Sequence, residues 1–153
     1  MHKTDHIVIE DTRAATLQAS TAGVQAFVEA DYGLSMHWGL YSLLGRSEWA
    51  MHIESIPHAR YFELMQRFNP TRFNAEEWAD LMLEAGQQFL LITTKHHDGF
   101  CLWDTALTDK KVTNTPFRRD IIAELAVALR DRGLKLHFYH SLMDWTHPAY
   151  RTE

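Results

Sequence analysis

Apolar positions recur along the chain at helical and at continuous spacings, and their alternation sets out an architecture. Val24, Phe27 and Val28 fall on one helical face, and Gly33 is placed to stop that helix. The segment Leu34-Ser-Met-His37-Trp-Gly39 reads as a short buried strand running into a glycine turn. Tyr61, Leu64, Met65 and Phe68 stand at i, i+3, i+4 and i+7, which predicts a helix. It must stop before Asn69-Pro70, because a proline disfavours helical backbone in the residue ahead of it.

The next helix carries its own start and stop signals. Asn74 is a natural N-cap, Glu77 lies where a capping box places its acid, and Phe73 and Trp78 hold the two positions of a hydrophobic staple. Trp78, Leu81, Met82 and Ala85 make an apolar stripe, and Gly86 supplies the left-handed stop. Phe89-Leu-Leu-Ile92-Thr-Thr-Lys95 follows as a strand that is apolar without alternation, as in a parallel sheet covered on both faces. Asp120 caps a further helix with the stripe Ile122, Leu125, Ala126 and Leu129, ending at Asp131-Arg-Gly133. Leu134 to His140 is then a third strand. Strand, helix, strand, helix, strand implies right-handed crossovers and an α/β parallel sheet. Residues 1–20 carry only weak periodicity and read as an N-terminal arm, with 21–153 as the folded part.

Composition narrows the function. Of 153 residues, 46% are hydrophobic and 23% charged, ordinary globular values that exclude collagen-like, disulfide-stapled or disordered chains. Fifteen Lys and Arg against 20 Asp and Glu leave a net charge of −5, so no broad cationic field exists for nucleic acid or anionic lipid. No apolar run approaches the roughly 18 residues that a membrane span requires. Cys101 stands alone and allows no intrachain disulfide. With no apolar leader in residues 1–20, the expectation is a cytoplasmic protein. Ten histidines and 5 tryptophans are unusual in so short a chain and suggest a polar, aromatic pocket.

These residues gather at one kind of place. His37-Trp38, His96-His97-Asp98 and Tyr139-His140 all lie at or just past predicted strand C-termini, with Glu48-Trp49 close behind the first. In parallel α/β proteins those ends share one face, and that face carries the site. Singly, each residue has an ordinary reading. His37 is a hydrogen-bonded core histidine, Glu48 a solvated loop acid, Asp98-Gly99 a turn, Asp120 a helix cap and Trp78 a staple residue. Adjacent His96 and His97 would point to opposite faces of a regular strand. Both reach one pocket only if the strand has ended or bulged by His96, with Gly99 permitting the turn that follows.

Among possible chemistries, a metal site drawing on His37, His96, His97 and Asp98 lacks H-x-H or H-E-x-x-H spacing. Cys101 sits in apolar Phe100-Cys-Leu-Trp103, a setting that raises a thiol pKa and disfavours nucleophilic use. No glycine-rich phosphate loop is present. Carbohydrate fits better, since sugars offer C–H faces to aromatic rings and hydroxyls to imidazoles and carboxylates. No metal or cofactor is therefore expected.

The motifs themselves resemble a known family. His37-Trp-Gly-Leu-Tyr-Ser42, Glu48-Trp49, Phe73-x-Ala-x-Glu-Trp-Ala79, Thr94-Lys-His-His-Asp-Gly-Phe-Cys-Leu-Trp-Asp104, Arg119-Asp120, Gly133-Leu-Lys135 and Tyr139-His-Ser-Leu142 with Asp144-Trp145 are similar to the N-terminal catalytic region of retaining α-L-fucosidases. That resemblance implies the first three β/α units of a (β/α)8 barrel, incomplete in this chain, and a fucosylated glycan or small fucoside as substrate. It also implies that His37, Glu48, Trp49, His96, His97, Tyr139 and His140 line the sugar pocket. Neither catalytic carboxylate matches a position here, so nucleophile and acid/base are expected beyond residue 153, in the remainder of the barrel. Ala50 stands where the family commonly has an aromatic residue, and His140 where a second tyrosine is common. The alternative reading is a catalytically silent sugar-binding or assembly module.

Overall fold

A computed structural model describes residues 20–150 of the chain. Three strands, β1 (Gly33–Met36), β2 (Phe89–Lys95) and β3 (Lys135–His140), form one parallel sheet in the order β1-β2-β3. Between them run α2 (Ala50–Ile53), α3 (His58–Phe62), α4 (Ala75–Glu84) and α5 (Ile121–Asp131), with short 3-10 turns at Leu40–Leu44, Glu63–Gln66 and Val112–Asn114. Helix α1 (Thr21–Val28) belongs to a separate compact unit that ends at Asp31, whereas the sheet unit begins at Tyr32. The proposed arm, residues 1–20, lies outside the described residues except for Ser20, whose Oγ accepts the Gly23 N–H and caps α1. Among the described residues no helix is long and apolar enough to cross a membrane.

Several expected boundaries move. Helix α1 stops at Val28, well before Gly33, which instead opens β1. Gly33 pairs with Phe89, whose ring occupies the space a Cβ would take, so close packing rather than a helix stop requires this glycine. β1 is also shorter and only half-buried. The expected helix over 61–68 is split into α3 and a 3-10 turn closed by bonds from Arg67 N–H to Leu64 C=O and Phe68 N–H to Met65 C=O. Tyr61, Leu64 and Phe68 nonetheless reach the core.

α4 begins as the sequence implies. Asn74 Oδ1 accepts from the N–H groups of Glu76 and Glu77, and the Phe73 and Trp78 rings meet edge-to-face at 4.9 Å. Glu77 accepts from the Asn74 side-chain amide at 3.0 Å, which is a variation on the usual capping box. Gly86 takes φ +73 at its end. The buried stripe differs from expectation, however. It is Ala75, Ala79 and Met82, while Leu81 is 64% exposed and Ala85 is exposed. Small residues on that face let α4 lie against α5, and Arg132, just past α5, ties the pair through Glu76 and Asp80 of α4. α5 buries a wider band of Ile121, Ile122, Leu125, Ala128 and Leu129, with Asp120 Oδ1 accepting from Ala123 N–H as its cap.

The two sheet faces are unlike. Leu90 and Ile92 of β2 are fully buried in the core shared with α4 and α5. Phe89 and Leu91, on the opposite face, are only half-buried. Because Met36 pairs with Ile92 and Thr93 with Tyr139, His37, Thr93 and Tyr139 fall level on that second face.

Candidate functional site

The end of β2 departs from regular pairing, and this departure builds the site. Thr93 pairs with Tyr139, but the next pair is Lys95 with His140, so one extra residue is inserted in β2. The insertion turns Lys95 to the His140 side and returns His96 to the Thr93–Tyr139 side. The strand then ends, and a turn closes with Gly99 N–H donating to His96 C=O. His96 and His97 consequently lie with ring centroids 4.3 Å apart instead of on opposite faces. Gly99 takes φ +81, and a Cβ there would come within 2.9 Å of Asp144 Oδ1 and 2.8 Å of Thr146 Oγ1.

Around this pair the rings converge. His37 lies 5.5 Å from His96 and 5.6 Å from Tyr139, and Tyr139 stacks beside His96 at 5.8 Å. Trp49 meets His97 edge-on at 5.1 Å. Glu48 completes the group, for one of its carboxylate oxygens and one ring nitrogen each of His37 and His96 lie within 4.8 Å of one another. His37 is exposed, so the reading of it as a core histidine is wrong; Trp38 takes the core position beside Phe68, Phe73 and Trp78.

Six of the seven residues singled out in the sequence are therefore adjacent, and His140 is not with them. Alternation along β3 sends His140 to the other face, where its Nδ1 lies 3.1 Å from Thr94 Oγ1 and its ring meets Trp103 at 5.5 Å. That side holds a separate cavity of about 380 Å³ with Lys95, Lys110, Trp103 and Asp144 in its wall.

Hydrogen bonds fix the backbone under the site. Thr93 Oγ1 accepts the Trp38 N–H at 3.0 Å and donates to Trp38 C=O at 3.2 Å, which clamps the end of β1 to β2. Ser141 Oγ lies 2.5 Å from His97 Nδ1 and donates to Met143 C=O, so it holds the His97 ring in place. Tyr61 O–H donates to Asp98 Oδ2 at 2.6 Å, and Phe100 N–H donates to Asp98 Oδ1 at 3.1 Å. The Asp98-Gly99 turn is thus also a buried carboxyl anchored to α3.

Burial sets the protonation states. It is the main cause holding the His96 imidazole down at about 4, aided by the neighbouring His97 and His37, so His96 is neutral at pH 7. Burial also lowers His97 and raises the Asp98 carboxyl to about 6. The Cys101 thiol is pushed up to about 11 by burial, which leaves it an inert core group.

Two further residues, both within the motifs quoted above, join the site although no spacing along the chain places them there. Trp145 is buried, 5.2 Å from both Trp49 and His97, and stacked on His52 at 5.0 Å. The loop after β3 brings it there, with Trp145 N–H donating to His97 C=O at 2.8 Å. Tyr41 reaches His96 at 5.6 Å from the 3-10 turn after β1.

Fold and cluster together define a parallel α/β protein with a polar, aromatic site at its strand ends. The chain belongs to the alpha-L-fucosidase family, whose sequence profile matches residues 8–153. It is similar to the tissue alpha-L-fucosidase of Rattus norvegicus, 35% identical over 141 residues, with 81% of this chain and 30% of that protein covered. Its structure is similar to alpha-L-fucosidase isoenzyme 1 of Paenibacillus thiaminolyticus (TM-score 0.81, 47% identity, covering 84% of this chain and 30% of that one). It is also similar to a Bacteroides thetaiotaomicron alpha-L-fucosidase trapped as a covalent intermediate with 2-fluoro-fucosyl fluoride (TM-score 0.82, 40% identity, covering 88% and 33%). The chain thus spans about 30% of the length of the curated relatives it matches. These relatives are glycoside hydrolases, and they do not favour the silent-module alternative.

Proposed function

We propose that this chain forms the sugar-gripping part of an enzyme that hydrolyses terminal α-L-fucosides with retention of configuration. The observation that carries the reading is the meeting of His37, Glu48 and His96 within 4.8 Å at parallel strand ends, beside Trp49 and His97. His37, Glu48, His96 and His97 would bond the sugar hydroxyls, with Trp49 and Tyr139 packing on its C–H surfaces. Neutral His96 can donate to one hydroxyl and accept from another. β1, β2 and β3 would be the first strands of a (β/α)8 barrel.

Retaining hydrolysis needs two carboxyl groups about 5–5.5 Å apart, one to attack the anomeric carbon and one to protonate the leaving oxygen. The covalent intermediate of the Bacteroides relative accords with such a mechanism. Acids of this chain near the rim are engaged elsewhere. Asp98 is buried against Tyr61, Asp104 pairs with Lys111 and Thr113, and Asp144 bonds Thr146 and faces Lys95. Nucleophile and acid/base would therefore come from the part of the family's length that this chain does not span.

Two measurements test the reading. L-Fucose should perturb the tryptophan fluorescence of the chain, and His97→Ala should weaken that binding about 5- to 150-fold, the loss expected for about 1–3 kcal/mol of hydroxyl bonding. An aryl α-L-fucoside should show no turnover. An equal response to L-fucose and D-glucose would overturn the fucose assignment, and hydrolysis abolished by Glu48→Gln would overturn the placing of the carboxylates.

A further inference from the structure

The His37–Glu48–His96 group supplies two imidazoles and one carboxylate, drawn from β1, the segment after it and the end of β2. Three side chains of these types leave a fourth position open on a metal, as zinc sites that take an exogenous ligand do. The donor atoms lie within 4.8 Å of one another. A tetrahedral zinc ion with bonds of about 2.0–2.1 Å holds its ligands roughly 3.3 Å apart. Closing that gap requires only small side-chain movements. His37 is exposed and Glu48 half-buried, so both can swing, while His96 is fixed.

A second observation comes from His96 itself. It is 4% exposed, and its Nδ1 is buried with no hydrogen-bond partner. A buried polar atom without a partner is rare, and with Nδ1 unpaired no hydrogen bond to the protein ties up that nitrogen. Mixed imidazole and carboxylate donors select zinc, cobalt or nickel over magnesium or calcium.

We propose that His37, Glu48 and His96 form a seat for one divalent ion of the zinc class. The ion engages the three groups that the fucoside reading assigns to sugar hydroxyls. Zinc and sugar then exclude one another, and that consequence, unlike the seat, rests on the proposed function. The ion acts here as a competitor and has no part in hydrolysis.

Cobalt(II), whose visible absorption reports a low-coordinate site, and zinc(II) are titrated into the chain, alongside L-fucose binding measured without metal. One equivalent of cobalt should develop visible bands that zinc abolishes. His37→Ala and Glu48→Gln should each weaken zinc by more than about tenfold, a floor set by the 10- to 100-fold cost of losing even supporting groups around a metal. His58→Ala and His147→Ala, which remove exposed imidazoles elsewhere, should leave it unchanged. Zinc binding insensitive to both His37→Ala and Glu48→Gln, or lost equally in the two control variants, overturns the seat. If zinc depends on the triad and the metal-free chain ignores L-fucose, the seat stands and the sugar reading fails.

Discussion

Asp98 gives the sharpest handle on the energetics of this fold. Its carboxyl is 1% exposed, beneath the His96–His97 turn, and burial raises it from the usual 3.8 to about 6 against the opposing bonds from Tyr61 and Phe100. Well below pH 4 the group is protonated in both the folded and the unfolded chain and contributes no pH dependence. As pH rises past 4 the unfolded chain ionises first, while the folded carboxyl keeps its proton until about pH 6. The unfolded state is therefore favoured progressively, and the stability present at low pH is lost through that window. The separation of roughly two tenfold steps, at about 1.4 kcal/mol each, makes the loss about 3 kcal/mol. Asp98→Asn removes the titration and keeps an oxygen to accept the Phe100 N–H. Urea unfolding followed by tryptophan fluorescence at several values between pH 4 and pH 8 measures both chains. The stability of the variant relative to the parent should rise by about 3 kcal/mol across that range, whatever offset a changed Tyr61 bond introduces. Contributions of carboxylates that do not interact with Asp98 cancel in this difference, whereas that of Asp144, whose charge helps push Asp98 up, does not. A difference constant to within about 0.5 kcal/mol, the scatter of such comparisons, would refute the assignment of a buried, high-pKa carboxyl to Asp98.

Two further outcomes follow from packing. Leu125→Ala, at a fully buried position on α5, should cost about 2–5 kcal/mol in the same unfolding assay, whereas Leu81→Ala on exposed α4 surface should stay within about 0.5 kcal/mol. Gly99→Ala places a Cβ against Asp144 and Thr146 at a positive φ, and should lower the thermal midpoint and weaken sugar binding together. An unchanged midpoint would show that the turn is not so confined.

What the sequence determined by itself is the part governed by neighbours along the chain. The caps at Asn74 and Asp120, the stop at Gly86, the staple of Phe73 and Trp78 and the continuous apolar run of β2 are all local. Each depends on residues within a few positions, so each is legible from spacing. The grouping of histidines at strand ends was equally legible, because parallel strands carry their C-termini to one side. What tertiary structure decided is which way side chains face and what lies over them. Periodicity ranks Leu81 with Met82, yet only α5 and the sheet determine that Met82 is covered and Leu81 is left out. Strand alternation alone separates His96 from His97; the inserted residue in β2, visible only in its pairing with β3, returns His96 to the site side, and the end of the strand at Lys95 with the turn that follows brings His97 beside it. His140 faces away from the site by simple alternation with its neighbour Tyr139, a local rule that strand β3 already implies. Trp145 joins the cluster through a loop whose path is set by a backbone bond to His97, 48 residues earlier in the chain. No local pattern carries that information, because its energy exists only once the two strand ends lie side by side.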